Sequence, residues 1–410
     1  MKLENNTSIF LRDIKGLKKI LSYNTEEYEN AWQIIKKSYN HVYLCRIYVG
    51  SVGEFICRYL MIREDLANNI NDLYVFVPYI APKKEVSNRN LLSLISREIL
   101  IINDSNWDFW KYIIKKHYKE LNFKYYKKYD VRRDTYYDLE KDNAILNICN
   151  IHNRMGKAVT KKIGVSDNYV CFHSRDEKYN IMTKGSDYTE FIGRNSSFEN
   201  YSESMEYLHE HQIKAVRMGK YVNPCHSNMK FINFAEKYYC DFMDTFLLAN
   251  CKFYVGPNSG INMVAKAFAR PIVVVNSTSV TVGAGCDINM EENILILKKY
   301  YNTRTKKFLS LRTIARYERR FRDDTSQYKK IGITIVDNTS QEILDAVTEM
   351  NERLDGIWKE TDEDRLLQEK YRNIINELNE ENRKRFWNGG ATLYRIGCKY
   401  LRENQYLLEE

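Results

Sequence analysis

Proline and glycine are scarce in this chain, with 5 prolines and 17 glycines in 410 residues. So few breakers exclude long disordered stretches. The 9 cysteines form no C-x-x-C pair, are odd in number, and several sit in apolar runs. That excludes a disulfide framework and predicts reduced, buried thiols in a cytoplasmic setting. The opening MKLENNTSIF has no signal-peptide apolar core. The most apolar long stretch, residues 42–62, contains Arg46, Glu54 and Arg58, so it is no membrane span. No D-x-D sits at a strand end, and His209 and His211 at i and i+2 share no helix face, so no metal is expected. G-K-[ST], G-x-G-x-x-G and G-x-S-x-G loops are also missing.

What is present is a chain long enough for two domains, 44% hydrophobic, with a net charge of +9 that favours anionic partners. Apolar runs at 41–50, 73–80, 99–104, 169–173, 213–219, 251–256, 271–276 and 293–297 read as strands. Helical patterns at 198–211, 240–250 and 260–269 lie between the later ones. Strands alternating with helices imply parallel sheets covered on both faces. Residues 1–160 are expected to form one Rossmann-like domain and 161–345 a second. Residues 346–410 form a helical extension, broken at NGG (388–390) and expected to pack back towards the first domain. Thr339 or Ser340 can cap its first helix, answered by Glu342. Leu367, Tyr371, Ile374 and Leu378 then recur at helical spacing.

The chemistry gathers at strand ends, where α/β sheets bind ligands. YVCFHSRD, residues 169–176, leaves the core through His173, Arg175 and Asp176. Arg175 can fork onto a phosphate, and His173 can donate a hydrogen bond or act as acid or base. The plain alternative is an Arg175–Asp176 ion pair. FYVGPNSG ends a strand and opens a helix at Asn258, Ser259 and Gly260. That helix start suits an anion, Ser259 can cap or bind phosphate, and Gly260 admits a close backbone approach. RIYVGSVGEF makes a similar turn with Gly50 and Gly53, followed by Glu54. Glu54 is a candidate base for an acceptor hydroxyl, or a favourable first-turn acid. Arg194 and Asn195 precede Ser196 or Ser197, either of which can cap the next helix. Arg217, Gly219 and Lys220 end another strand. Several cations and a helix start on one sheet edge describe a diphosphate pocket. The basic tracts 111–133 and 298–322 suit an anionic leaflet or nucleic acid, or are solvated faces.

The ordered motifs C-x-H-x-R-D-x-x-Y (171–179), R-N-S-x-x-x-N-Y (194–201), V-R-M-G-K (216–220), D-x-x-D-x-F-L-x-A-x-C-x-F (241–253), G-x-x-S-G (256–260) and P-x-x-x-x-N (271–276) together resemble a bacterial family of glycosyltransferases of surface-polysaccharide loci. The likeness covers about residues 165–355, and H-x-R is similar to that of fucosyltransferase-like enzymes. The segment YNIMTKGSDYTEFIG departs from the family pattern. The resemblance implies a GT-B fold, two Rossmann-like domains facing across a cleft, with donor in the second domain and acceptor in the first. It implies a nucleotide-sugar donor, a glycan or lipid-linked acceptor, no metal or other cofactor, and Arg175 on the donor diphosphate, with Ser259 and Gly260 opposite. Glu54, His173 and Asp176 are the candidate catalytic residues, for a hexosyl- or deoxyhexosyl-transferase. The expected location is cytoplasmic, peripheral at the inner membrane leaflet. The alternatives are a sugar-nucleotide epimerase or hydrolase on the same fold, and a non-catalytic nucleic-acid binder. No nucleic-acid motif supports the last.

Overall fold

A computed structural model describes residues 25–80, 85–103, 106–125, 146–165, 167–184, 192–225, 230–280, 293–321, 324–385 and 394–409. The NGG break and part of YNIMTKGSDYTEFIG lie outside them.

Strands β1 (Val42–Tyr48), β2 (Leu73–Tyr79), β3 (Leu100–Ile101) and β4 (Asn122–Tyr125) form a parallel sheet in the order β3-β2-β1-β4. Alternation along β1 sends Val42 and Leu44 to one face, with Trp32 and Trp110, and Cys45 and Ile47 to the other, with Phe55 and Phe76. Both faces are buried, which is why the run reads as almost continuously apolar.

The second sheet is also parallel. It holds β5 (Tyr169–Phe172), β6 (Lys214–Arg217), β7 (Tyr254–Gly256), β8 (Ile272–Ser277) and β9 (Ile294–Leu297). A small antiparallel sheet of β10 (Lys299–Asn302), β11 (Lys307–Phe308) and β12 (Ile333–Val336) follows. A last strand, β13 (Arg395–Ile396), completes the large sheet in the order β13-β9-β8-β7-β5-β6. The two parallel sheets, flanked by helices and facing each other through their strand-end loops, make the expected GT-B architecture.

Two boundaries differ from expectation. The helix Asn150–Lys162 packs on Asp241–Asn250, with Gly156 against the Phe246 ring, so it sides with the second sheet although most of it lies before the expected boundary at residue 160. The C-terminal extension packs on the second sheet rather than back towards the first. Its β13 pairs in parallel with the open edge of β9, and Tyr400 donates to the Leu297 carbonyl at 2.9 Å. The expected stripe on helix Asp362–Arg385 is buried, with Leu367, Tyr371, Ile374 and Leu378 all at most 5% exposed. The Thr339–Glu342 capping box forms as its residues predict. Thiols are mixed: Cys45, Cys171, Cys251 and Cys398 are buried, whereas Cys149 and Cys240 are exposed.

The two units touch at several points. A Cβ built on Gly53 would lie 2.9 Å from the Gly260 Cα, so two helix starts meet backbone to backbone. Glu85 of the first unit reaches Lys220 at 2.7 Å and Tyr221 at 3.0 Å in the second. Asn88 donates to Asp244 Oδ2 at 3.3 Å, and the Arg89 N–H donates to Asp241 at 2.7 Å.

Candidate active site at two facing switch points

Ligands in open parallel sheets bind where neighbouring strands send their connections to opposite sides. In the second sheet that point lies between β5 and β7, because β6 pairs on one flank of β5 and β7 on the other. In the first sheet it lies between β1 and β4. The loops after β7 and β1 are the ones that meet at Gly260 and Gly53. Two crevices, one from each unit, therefore open towards each other.

β5 delivers His173, Ser174, Arg175 and Asp176 to the second crevice. The His173 N–H donates to the Val255 carbonyl at 3.0 Å, which extends the ladder one residue past the strand. Its Nδ1 lies 3.1 Å from the Met218 carbonyl, so Nδ1 carries the proton. Burial pushes its pKa down to about 4; Arg175 and Arg217 act in the same direction, and the Met218 carbonyl partly opposes them. His173 is thus a neutral imidazole and a weak base. Gly219 lies beneath it at φ +137°, where a Cβ would strike Val222 at 2.6 Å and sit 3.2 Å from the His173 Nδ1.

Asp176 is spent on structure. Its Oδ1 accepts the Lys178 N–H at 2.9 Å and its Oδ2 the Asn223 N–H at 2.8 Å. Arg175, with Asn195, Ser196 and others, lines a cavity of about 360 Å³. The Arg175 carbonyl accepts the Ser196 N–H at 3.0 Å, tying the Arg194–Ser197 segment beside β5. Arg194 reaches over to the β7 loop, with Nη1 3.4 Å from the Asn258 carbonyl. Buried Lys298 donates to the Asn195 carbonyl and to Asp337, each at 2.6 Å. Ser197, not Ser196, caps the following turn.

Ser259 occupies the N-cap of helix Gly260–Ala267 but makes no capping bond, and its Oγ is buried without a partner. Gly260 does admit a close approach, though the backbone that uses it is that of Gly53. Arg217 lines the same cavity but is largely committed to protein partners. It is 2% exposed, is ion-paired with Glu236, donates to the Asn223 carbonyl at 2.7 Å, and lies 4.4 Å over the Phe198 ring. Arg175 and Arg217 thus line the cavity beside Asp176, Glu177 and Glu199, while Arg194 and Lys298 are tied to the loops next to it; Lys298 went unnoticed in the sequence.

On the facing loop, Gly50 lies beneath the Tyr48 phenol and Gly53 against Gly260. Glu54 sits in the first turn of helix Val52–Asn68 and accepts from Arg58 at 3.0 Å, with Arg58 also 5.6 Å from the Tyr48 ring. Among the described residues, no group of three or more His, Cys, Asp and Glu side chains could hold a metal ion. No helix among them is long and apolar enough to cross a membrane.

No family model matches the sequence, and no curated protein matches it. Solved structures give partial likenesses. The glycosyl transferase family 9 protein of Veillonella parvula is 12% identical over 63% of this chain and 86% of that one, with a TM-score of 0.40. E. coli ADP-heptose LPS heptosyltransferase II is 14% identical over 63% of this chain and 90% of that one, with a TM-score of 0.37. The heptosyltransferase TibC, in complex with ADP-D-β-D-heptose, is 9% identical over 77% and 78%, with a TM-score of 0.41; TibC comes from enterotoxigenic E. coli. Overlaps this partial carry no activity across to this chain.

Proposed function

We propose that the protein is a glycosyltransferase that moves a sugar from a nucleotide-sugar donor to a glycan or lipid-linked acceptor. The observation that carries this reading is the β5–β7 crevice, where Arg175, Arg194 and the start of helix Gly260–Ala267 meet opposite the first unit's own strand-end loop. In sugar transfer the bond from the anomeric carbon to the diphosphate oxygen breaks. The acceptor oxygen takes its place on that carbon, and the acceptor proton leaves to a base. Negative charge builds on the departing diphosphate, where fixed guanidinium groups and helix N–H groups stabilise it. Glu54 is the acceptor-side base in this reading, since Asp176 is held by two backbone amides and His173 is only weakly basic. The donor residues are Arg175, Arg194, Asn195, Asn258 and Ser259. Gly50, Gly53, Gly219 and Gly260 shape the loops, and no metal is required. The acceptor belongs to surface-polysaccharide synthesis, by the motif resemblance. Exposed Lys306, Lys307, Arg316 and Arg320 support docking on an anionic leaflet.

Calorimetry with UDP, GDP, ADP, CMP and dTDP tests the donor site. One of them binds the wild-type chain, and Arg175→Ala weakens that binding by about 10- to 100-fold, the loss of a charge-assisted hydrogen bond, with an unchanged melting temperature. Equal affinity in Arg175→Ala overturns the assignment. Sugar released or epimerised rapidly without acceptor would replace transfer with hydrolysis or epimerisation.

A further inference from the structure

Asn276, near the end of β8, holds a left-handed backbone at φ +53°. Residues other than glycine take that conformation sparingly, and asparagine is the most tolerant of them. The surrounding structure fixes it twice. The Asn276 N–H donates to Asn338 Oδ1 at 2.6 Å, and the Asn338 N–H donates to Asn276 Oδ1 at 2.7 Å. Asn338 is anchored in turn, with its Nδ2 donating to the Leu297 carbonyl at 2.8 Å. The clamp settles which end of the Asn276 amide is oxygen and leaves its nitrogen for something else. Asn276 is 0% exposed, and its Nδ2 has no hydrogen-bond partner.

That nitrogen has company. It lies beside the Tyr201 phenol, as does Ser196 Oγ, which is also buried without completing a hydrogen bond. Tyr201 donates to the His173 carbonyl at 3.1 Å, directly under the strand end that carries Arg175. Tyr254, 0% exposed, brings a second phenol that faces Ser259 Oγ, the two interacting without completing a hydrogen bond. Asn276 Nδ2, Ser196 Oγ, Tyr254 OH and Ser259 Oγ therefore sit at two phenols beneath the ends of β5 and β7, each buried and none completing a hydrogen bond. Each buried polar group left unmet costs about 1–3 kcal/mol, so such a concentration marks a place where an acceptor is to be supplied. Arg175 and Arg217 line the cavity that Ser196 lines, together with Asp176, Glu177 and Glu199, while Arg194 and Lys298 are held beside it at the Asn258 and Asn195 carbonyls. Asp176 and Glu199 are engaged by the Lys178 and Asn223 amides and by Ser197, which leaves the neutral donors and the guanidinium groups to meet an oxyanion.

We propose that Asn276 is a substrate-binding residue whose Nδ2 donates to a pyrophosphate oxygen of the donor nucleotide. The proposal rests on the donor-site reading above for the identity of the anion, and it adds a contact from β8 that the strand-end cations do not make. Asn276→Asp keeps an oxygen for the Asn338 N–H and replaces the donor with an anion. Asn276→Gly keeps the left-handed backbone and removes the amide altogether.

The test is calorimetry with inorganic pyrophosphate on the full-length wild type, Asn276→Asp, Asn276→Gly and Arg175→Ala, with the melting temperature of each unliganded protein alongside. Both Asn276 variants are expected to bind at least about tenfold more weakly than wild type, the scale of one hydrogen bond to a charged group. The pyrophosphate-induced rise in melting temperature falls with them. A purely structural amide predicts something different: altered melting in the unliganded variants with wild-type affinity. Wild-type affinity in Asn276→Asp overturns the proposal and assigns these donors to buried water. Should Asn276→Asp fail to fold, the affinity of Asn276→Gly decides between the same two outcomes. Binding lost in Arg175→Ala but kept in both Asn276 variants overturns this contact alone. A wild-type protein that binds neither pyrophosphate nor any nucleoside diphosphate overturns the donor-site reading as well.

Discussion

The loop after β1 and the loop after β7 have the same form and opposite polar accounts. Both leave a parallel strand at a switch point, turn on glycine and open a helix. On the first, the polar groups are satisfied locally: Glu54 takes Arg58, and the Ser87 hydroxyl and N–H both bond the Val49 carbonyl at 2.9 Å. On the second, Ser259 Oγ and Tyr254 OH, which face each other, and Asn262 Oδ1 are buried without completing a hydrogen bond. Loop shape alone does not separate a structural turn from a ligand-facing one. The account of hydrogen-bond partners does, because an unmet buried group is costly unless something completes it.

The contrast can be broken first where the loops touch. In Gly260→Val the side chain begins 2.9 Å from the Gly53 N atom. Overpacking against backbone costs about 1–3 kcal/mol, so denaturant titration should show a loss of that size. Because the contact is shared, Gly53→Val should not add a second full penalty in the double variant. Wild-type stability in Gly260→Val would mean that the two helix starts are not in fixed contact.

A smaller effect concerns Asp244, where the units meet again. Burial, with Asp241 adding, pushes its pKa up to about 7, and the Asn88 bond partly opposes this. The folded state therefore holds a proton that the unfolded chain releases near pH 4. The stability this confers is complete below about pH 4 and is lost as pH rises through about 7. Asp244→Asn keeps an acceptor for Asn88 and never ionises. Its melting temperature should exceed the wild-type value by a margin that grows between about pH 4 and 7 and then levels off. A margin independent of pH would show that Asp244 does not titrate in that window.

The smallest effect on stability and binding is expected at Glu54, already engaged by Arg58. Glu54→Gln should leave nucleotide affinity and melting temperature unchanged and slow turnover by about 100-fold, the low end of the usual worth of a general base. A change in affinity with turnover intact would move Glu54 to the donor side.

Much of this arrangement was legible in the sequence. Strand and helix positions followed from apolar runs and their punctuation, and His173, Arg175, Arg194, Asn258 and Ser259 lie at or beside the ends of the neighbouring strands β5 and β7. Arg217 could not be sorted from Arg175 beforehand, since both are strand-end arginines and only the fold brings Glu236 and Phe198 to the former. Lys298 and Asn276 escaped for a related reason. Each acquires its meaning from a residue about 40 to 100 positions away in sequence: Asp337 and Asn195 for the lysine, Asn338 for the asparagine. Asn276 stood in a motif as the residue closing a buried strand, and a polar residue there was the available hint. The return of the C-terminal segment to β9 had no such hint, because β13 is only two residues long.

The glycine pair also has a mechanical consequence. With no side chain between them, Gly53 and Gly260 set the shortest possible spacer between the halves, and the point of contact is smooth. A side chain at either position would wedge the opposing loops apart by about its own width, so the gap between the two crevices is set by the absence of two methyl groups.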